Sequence, residues 1–235
     1  MDAKERIIVA LDVDNFEKAK ELIVKLAPHV GCFKVGLELL MAVGAPKIVE
    51  FIHAYGGKVF IDGKFDDIPT TVGKASKVIS DMDVYMYNVH ASASLEAMMA
   101  AVANKKDSIV LAVTVLTSFE ENNAHLTFGA PSKAKVLQFA REACLAGCHG
   151  IICSPQELEL LGKQQELSCI LKVTPGVRPL WAATNDQKRI MTPAEAIKAG
   201  ATHLVIGRPI TSPPAEIGTP VQAAIKIAEE IAAVL

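Results

Sequence analysis

The sequence predicts an α/β protein folded as one closed (β/α)8 barrel, the TIM-barrel arrangement, over residues 1–235. Three observations predict it. Eight short apolar, β-branched runs recur along the chain, and amphipathic helical segments separate nearly all of them. The length of 235 residues is long for a typical domain of about 150 but suits a single barrel of about 250. No linker, low-complexity stretch or second composition regime breaks the alternation, which disfavours a second domain and fits a closed barrel better than a doubly wound sheet.

The first strand is expected at Arg6–Leu11, followed by a helix over Asn15–Ala27. There Phe16, Ala19, Ile23 and Leu26 recur at helical spacing, while Glu17, Lys18, Lys20 and Glu21 fall elsewhere. Cys32–Val35, Lys58–Ile61, Val84–Val89 and Ser108–Val113 supply strands two to five. Most are continuously apolar rather than alternating, as parallel strands covered on both faces should be. Pro131–Ala146 reads as a helix with proline near its first turn and a stop at Gly147. Gly150–Cys153 and Cys169–Val173 are the sixth and seventh strands. Thr192-Pro193-Ala194-Glu195 resembles a capping box opening the next helix, His203–Ile206 is the eighth strand, and Val221–Leu235 the last helix.

With 51% hydrophobic and 21% charged residues the chain can fill a large core and is expected to be a soluble globule. A net charge of −2, with lysine and arginine dispersed, leaves no basic stripe, so nucleic acid is not an expected partner. Charges crowd Met1–Arg6 and no apolar run reaches the roughly 18 residues of a membrane span, which points to a cytoplasmic protein without a membrane partner. Five cysteines, an odd number without framework spacing, suit free thiols in a reducing compartment. Cys144, Cys148 and His149 lie close together, but Gly147 should end the helix between them and no second ligand cluster appears. No metal and no cofactor are expected.

A barrel places its active site at the C-terminal edge of the strands. Asp12 follows the first strand, Lys34 lies within the end of the second, and Asp62, Lys64 and Asp67 follow the third. Each alone passes for a solvated loop charge; together they form a candidate carboxylate–ammonium cluster. Alternation along Asp62-Gly63-Lys64 lets both charged groups face the barrel mouth. Lys34 is the most informative, because an unpaired lysine inside Cys32–Val35 is costly to bury and needs an anion, for which Asp62 is the candidate. After the seventh strand come Gly176 and Arg178, with Gln187 further along the loop, and after the eighth come Gly207 and Arg208. Glycine lets backbone approach an oxyanion and arginine offers a fork of donors, so a monophosphate ligand is expected there. The residues alone support a phosphate-ligand barrel enzyme with a Lys/Asp reaction centre and leave its substrate open.

At Asp62-Gly63-Lys64-Phe65-Asp66-Asp67-Ile68-Pro69-Thr70-Thr71 the chain resembles the Asp-x-Lys-x-x-Asp-Ile-Pro-Asn-Thr signature of orotidine 5′-monophosphate decarboxylases. The resemblance runs through Ala10–Asp12, Phe33–Gly36, Asn88–Ala91, Val113–Ser118, Cys153–Pro155, Thr174–Arg178, Asp186–Arg189 and Gly207–Thr211, covering virtually the whole chain in order. Asp66 stands where bacterial members often carry histidine, Thr70 replaces asparagine, Thr184-Asn185 precedes Asp186, and Ala93-Ser94 replaces a frequent glycine pair.

The resemblance implies cofactor-free conversion of orotidine 5′-monophosphate to uridine 5′-monophosphate by a homodimer. It implies Lys64 as proton donor to C6, Asp62 facing the departing carboxylate, and Lys34 holding the array and contacting ribose. Asp12 would take a ribose hydroxyl, Asp67 and Thr71 would reach the partner subunit's site, and Thr117 would read the pyrimidine edge. Arg178, Gln187, Gly207 and Arg208 would grip phosphate. Trp181 is either a flap on the bound nucleotide or an anchor packing its loop onto the barrel rim. Two rivals stand beside this reading: a metal-dependent sugar-phosphate decarboxylase or aldolase of the same barrel superfamily, and a nucleotide-binding barrel without catalysis. Asp-Ile-Pro after the signature and Asp186-Gln187-Lys188-Arg189 favour the nucleotide over the first rival, and intact Asp62, Lys64 and Asp67 disfavour the second.

Overall fold

The computed structural model describes residues 1–182 and 191–235. Among these, eight parallel strands close into a barrel in chain order: β1 (Ile7–Ala10), β2 (Cys32–Gly36), β3 (Val59–Phe65), β4 (Met86–His90), β5 (Ile109–Val113), β6 (Gly150–Ile152), β7 (Leu171–Pro175) and β8 (His203–Ile206). Each pairs with the next, and Val9 of β1 lies opposite both Phe33 of β2 and Ile206 of β8, which closes the ring. The expected barrel is therefore the observed fold.

Side-chain alternation divides the apolar residues into two layers. Val9, Phe33, Ile61, Val89, Ala112, Ile151 and Leu204 face the surrounding helices, and Ile8, Ala10, Cys32, Phe60, Met86, Leu111, Val173 and Val205 fill the interior. The apolar interior layer ends at Cys32 in β2 and Phe60 in β3, and two residues further along the same parity brings Lys34 and Asp62 to the mouth.

The helices are shaped by local sequence. Phe16–Leu26 begins where the Asn15 side chain accepts the Lys18 amide at 3.0 Å, and it buries Ala19, Ile23 and Leu26. Ser132–Leu145 ends before Gly147, whose φ of +79° is the left-handed conformation that reverses the chain without a Cβ penalty. Pro193–Lys198 is opened by the reciprocal box between Thr192 and Glu195, at 3.2 and 2.8 Å. Pro220–Ala232 closes the ring of helices.

Most strand boundaries differ from the sequence reading by one or two residues, and two of the differences bear on the site. β7 runs on to Pro175, which lacks the N–H needed to extend the ladder and so ends it. β3 extends from Val59 to Phe65, so Asp62, Gly63 and Lys64 belong to the strand rather than to the loop after it. No described helix is long and apolar enough to cross a membrane.

Candidate active site

At Ile61 the β3–β4 register pairs with Tyr87, yet at Phe65 it pairs with Val89: four residues on one strand oppose two on the other. The excess is the bulge Asp62-Gly63-Lys64. Lys64 takes φ +48°, uncommon for a residue with a side chain, and a Cβ on Gly63 would come 2.8 Å from the Phe65 ring. Asp62 thus reaches the mouth by the alternation of β3, whereas Lys64 reaches it from the displaced backbone of the bulge. The Lys64 amide, taken out of the ladder by the bulge, donates to Asn88 Oδ1 at 2.8 Å.

The side chains form one alternating row. Lys34 Nζ lies 3.2 Å from Asp12 Oδ1 and 3.1 Å from Asp62 Oδ2, and Lys64 Nζ lies 2.7 Å from Asp62 Oδ1. Asn88 Nδ2 adds a donor to Asp62 Oδ1 at 2.7 Å. Burial alone would lower the Lys34 pKa, but the charges of Asp62 and Asp12 outweigh it and hold the amine above its ordinary range. For Asp62 burial acts upward and is likewise outweighed, by Lys34, Lys64 and the Asn88 hydrogen bond, so the carboxyl titrates below its ordinary range. Both groups are fully ionised at neutral pH. The sequence argument that Lys34 needs an anion finds its answer in Asp62, with Asp12 as a second partner.

The row forms one wall of a cavity of about 330 Å³, the size of a small-ligand site. Phe60, Ala10 and Val205 floor it, and Val113, Val115, Leu116, Thr117 and Ile152 make a mostly apolar wall. Gly176, Val177 and Arg178 after β7, with Gly207, Arg208 and Pro209 after β8, complete the rim. Val177 bridges to Met191 and the Arg178 amide donates to the Met191 carbonyl at 3.1 Å, which pins both described ends of the β7–β8 loop together.

Of the residues singled out in the sequence, Asp12, Lys34, Asp62, Lys64, Thr117, Arg178, Gly207 and Arg208 meet in this cavity. Asp67 and Thr71 do not line it: both are exposed, and Asp67 Oδ1 accepts the Ile68 amide at 2.7 Å beside the helix Pro69–Ser80. Gln187 lies outside the described residues. Trp181 is half-buried against the apolar layer between barrel and helices and is not among the cavity residues. His149 accepts the Val110 amide on Nδ1 at 3.1 Å, a structural use of that ring. His90, at the end of β4, is kept below its ordinary pKa chiefly by burial, with Asp66 and Asp62 opposing and Lys64 reinforcing, so it is neutral at pH 7. Asn88 was not singled out as a site residue, although an amide inside Met86–Val89 carries the same signal as a lysine inside Cys32–Val35: a buried polar group that needs partners.

Comparison with known proteins finds relatives along nearly the whole chain. The sequence model of the orotidine 5′-phosphate decarboxylase / HUMPS family matches residues 5–227. The chain belongs to that family. It is 44% identical over 243 residues to an orotidine 5′-phosphate decarboxylase of Heliobacterium modesticaldum, covering 99% of this chain and 98% of the relative. A relative of the same name from Syntrophomonas wolfei is 43% identical, with 98% and 99% covered. Among solved structures, orotidine 5′-phosphate decarboxylase from Lactobacillus acidophilus superposes with a TM-score of 0.80 at 32% identity, covering 96% of this chain and 98% of that one. The family is thus shared along the full barrel, and not only by the Asp-x-Lys-x-x-Asp segment.

Proposed function

We propose that this protein decarboxylates orotidine 5′-monophosphate to uridine 5′-monophosphate and carbon dioxide, the closing step of pyrimidine nucleotide synthesis, without a cofactor. The observation that carries the reading is the Asp12–Lys34–Asp62–Lys64 row facing a cavity rimmed by Arg178 and Arg208, in a chain whose full-length relatives bear that enzyme's name. The sugar-phosphate alternative has no comparable support.

Breaking the bond from C6 to the carboxylate leaves the electron pair on C6 as carbon dioxide departs. In this reading the Lys64 ammonium stabilises that developing charge and delivers a proton to C6, then regains one from solvent. Asp62, ionised and hydrogen-bonded on both oxygens, stands where it opposes the substrate carboxylate and holds Lys64 in place. Lys34 keeps Asp12 and Asp62 apart and offers its ammonium to the ribose, Asp12 accepts from a ribose hydroxyl, and Thr117 meets the pyrimidine edge. Arg178, Gln187, Gly207 and Arg208 hold the phosphate, far from the bond that breaks, so that its binding energy can be drawn on in the transition state.

Asp67 and Thr71 are exposed beside Ile68, itself 67% exposed, and in this reading they enter the partner's site in a homodimer. The protein is proposed to work in the cytoplasm, where its free cysteines stay reduced. The test is loss of orotate absorbance when purified protein meets orotidine 5′-monophosphate in EDTA, with Lys64→Ala and Arg208→Ala alongside. Rapid wild-type turnover that collapses in Lys64→Ala is expected. Absence of turnover in wild type, with activity on sugar phosphates restored by magnesium, would overturn the reading.

A further inference from the structure

Inside the barrel, Asn88 is 1% exposed and sits across from the bulge in β3. Its carboxamide makes two hydrogen bonds to the reaction centre: Oδ1 accepts the Lys64 amide at 2.8 Å, and Nδ2 donates to Asp62 Oδ1 at 2.7 Å. The orientation is chemically forced, since a backbone N–H can only donate and an ionised carboxylate can only accept. Three features meet at this one side chain. Lys64 is held at φ +48°, a conformation that persists only when its surroundings impose it. Its amide, expelled from the ladder, would be a buried unsatisfied donor without Oδ1. The same Asp62 oxygen that takes Nδ2 also takes Lys64 Nζ at 2.7 Å, so the carboxamide sets where the ammonium is anchored.

We propose that Asn88 is a positioning residue for the decarboxylation: it clamps the strained Lys64 backbone and the Asp62 carboxylate together, and thereby places the Lys64 ammonium. The inference rests on the decarboxylase reading given above. It assigns Asn88 no contact with the nucleotide, because Asn88 is not among the residues lining the cavity. Loss of the clamp should therefore reach the chemical step and spare binding.

The experiment compares wild type, Asn88→Ala and Asn88→Asp in steady-state turnover of orotidine 5′-monophosphate and in calorimetric binding of uridine 5′-monophosphate. In Asn88→Ala, kcat should fall on the order of 100-fold, the scale of a misplacement of about 1 Å, while KM and product binding stay within about threefold. Asn88→Asp keeps the acceptor for the Lys64 amide but supplies a donor only when protonated. The titratable and charged groups around that position are Asp62 and Lys64, with Lys34 behind Asp62, and His90 further along β4, which interacts with Asp62, Lys64 and Asp66. Two carboxyls so close share a proton, so the kcat of Asn88→Asp relative to wild type should climb as the pH is lowered from about 9 to about 6. A side chain that merely filled space would give no such recovery. An Asn88→Ala kcat within about twofold of wild type overturns the proposal, as does a flat pH ratio for Asn88→Asp. If Asn88→Ala does not fold, the Asn88→Asp ratio decides alone. Wild type without turnover overturns the decarboxylase reading and this inference together, whereas an active wild type with an indifferent Asn88 overturns only the inference.

Discussion

The two ends of the barrel interior both bury titratable groups, and they treat them in opposite ways. At the C-terminal end, Lys34 and Asp62 are almost enclosed, yet every charge has a counter-charge within 3.2 Å. At the N-terminal end, His203, the first residue of β8, is 1% exposed, and its Nδ1 meets the neighbouring Thr202 hydroxyl at 3.1 Å. Among the described residues His203 Nε2 and the nearby Arg6 Nε have no hydrogen-bond partner. Burial, reinforced by Arg6 and Lys58, pushes the His203 pKa down to about 4. One end compensates its charges and keeps them; the other discards the charge. The difference teaches that burial by itself does not mark a reaction centre. What distinguishes the mouth is that ionisation is retained at the cost of building partners for it.

The contrast is most sharply broken at Lys64. Lys64→Ala removes the proposed proton donor while leaving the proposed phosphate rim intact, and kcat should drop roughly 100- to 10,000-fold in the orotate absorbance assay. Asp62→Ala takes away the carboxylate that serves Lys34, Lys64 and Asn88 at once. It should abolish most turnover and also lower unfolding free energy by about 3 kcal/mol in urea titration, because Lys34 loses its enclosed partner. A normal stability for Asp62→Ala would mean that the row is built for chemistry at no structural cost.

The N-terminal end gives a pH prediction. His203 has an unfolded pKa near 6.5 and a folded one of about 4, so between those values the unfolded chain binds the extra proton and stability is lost as pH falls. Glu157, 9% exposed after β6, runs the other way: burial raises its pKa from 4.5 to about 7, so the folded chain holds the extra proton and stability is lost as pH rises through that window. The two slopes oppose each other between about pH 4.5 and about pH 6.5, while the lowered His90 and His149 add to that of His203, so wild type should lose stability as the pH falls through that window. Single variants unmask them. His203→Gln should gain stability relative to wild type as the solution is acidified, and Glu157→Gln as it is made neutral, each by up to about 3 kcal/mol. Parallel profiles for all three proteins would refute the assignment.

A smaller effect is expected at the phosphate rim. Arg208→Ala should raise KM about 10- to 100-fold, the worth of hydrogen bonds to a charged group, with a lesser change in kcat. An equal loss in both constants would instead join Arg208 to the chemical step.

Much of this was legible before any coordinates. Continuous apolar runs locate all eight strands, because strands covered on both faces leave no room for alternation. Lys34 betrays the site because a lysine in such a run must be paired, and the pairing to Asp62 follows from the order of β2 and β3. The same reasoning applied to Asn88 and His203 would have separated them only partly, since both are polar residues in apolar strands and only their neighbours reveal that one is satisfied and the other is not. Asp67 and Thr71 belong to a different category: nothing within one chain brings them to the cavity.

The sequence by itself determined the barrel, the edge at which its candidate site lies, and the identity of the charged residues gathered there, because periodicity and the cost of burying charge act locally and are written in residue order. Only the tertiary structure decided how those charges are arranged. The two-residue excess in β3 against β4 turns Lys64 into a left-handed conformation and hands its amide to Asn88, a register shift that depends on two strands at once. Hydrogen bonds between residues 24 and 26 positions apart exist only when β3 and β4 pair, so the geometry of the site is a property of paired strands and not of either segment alone.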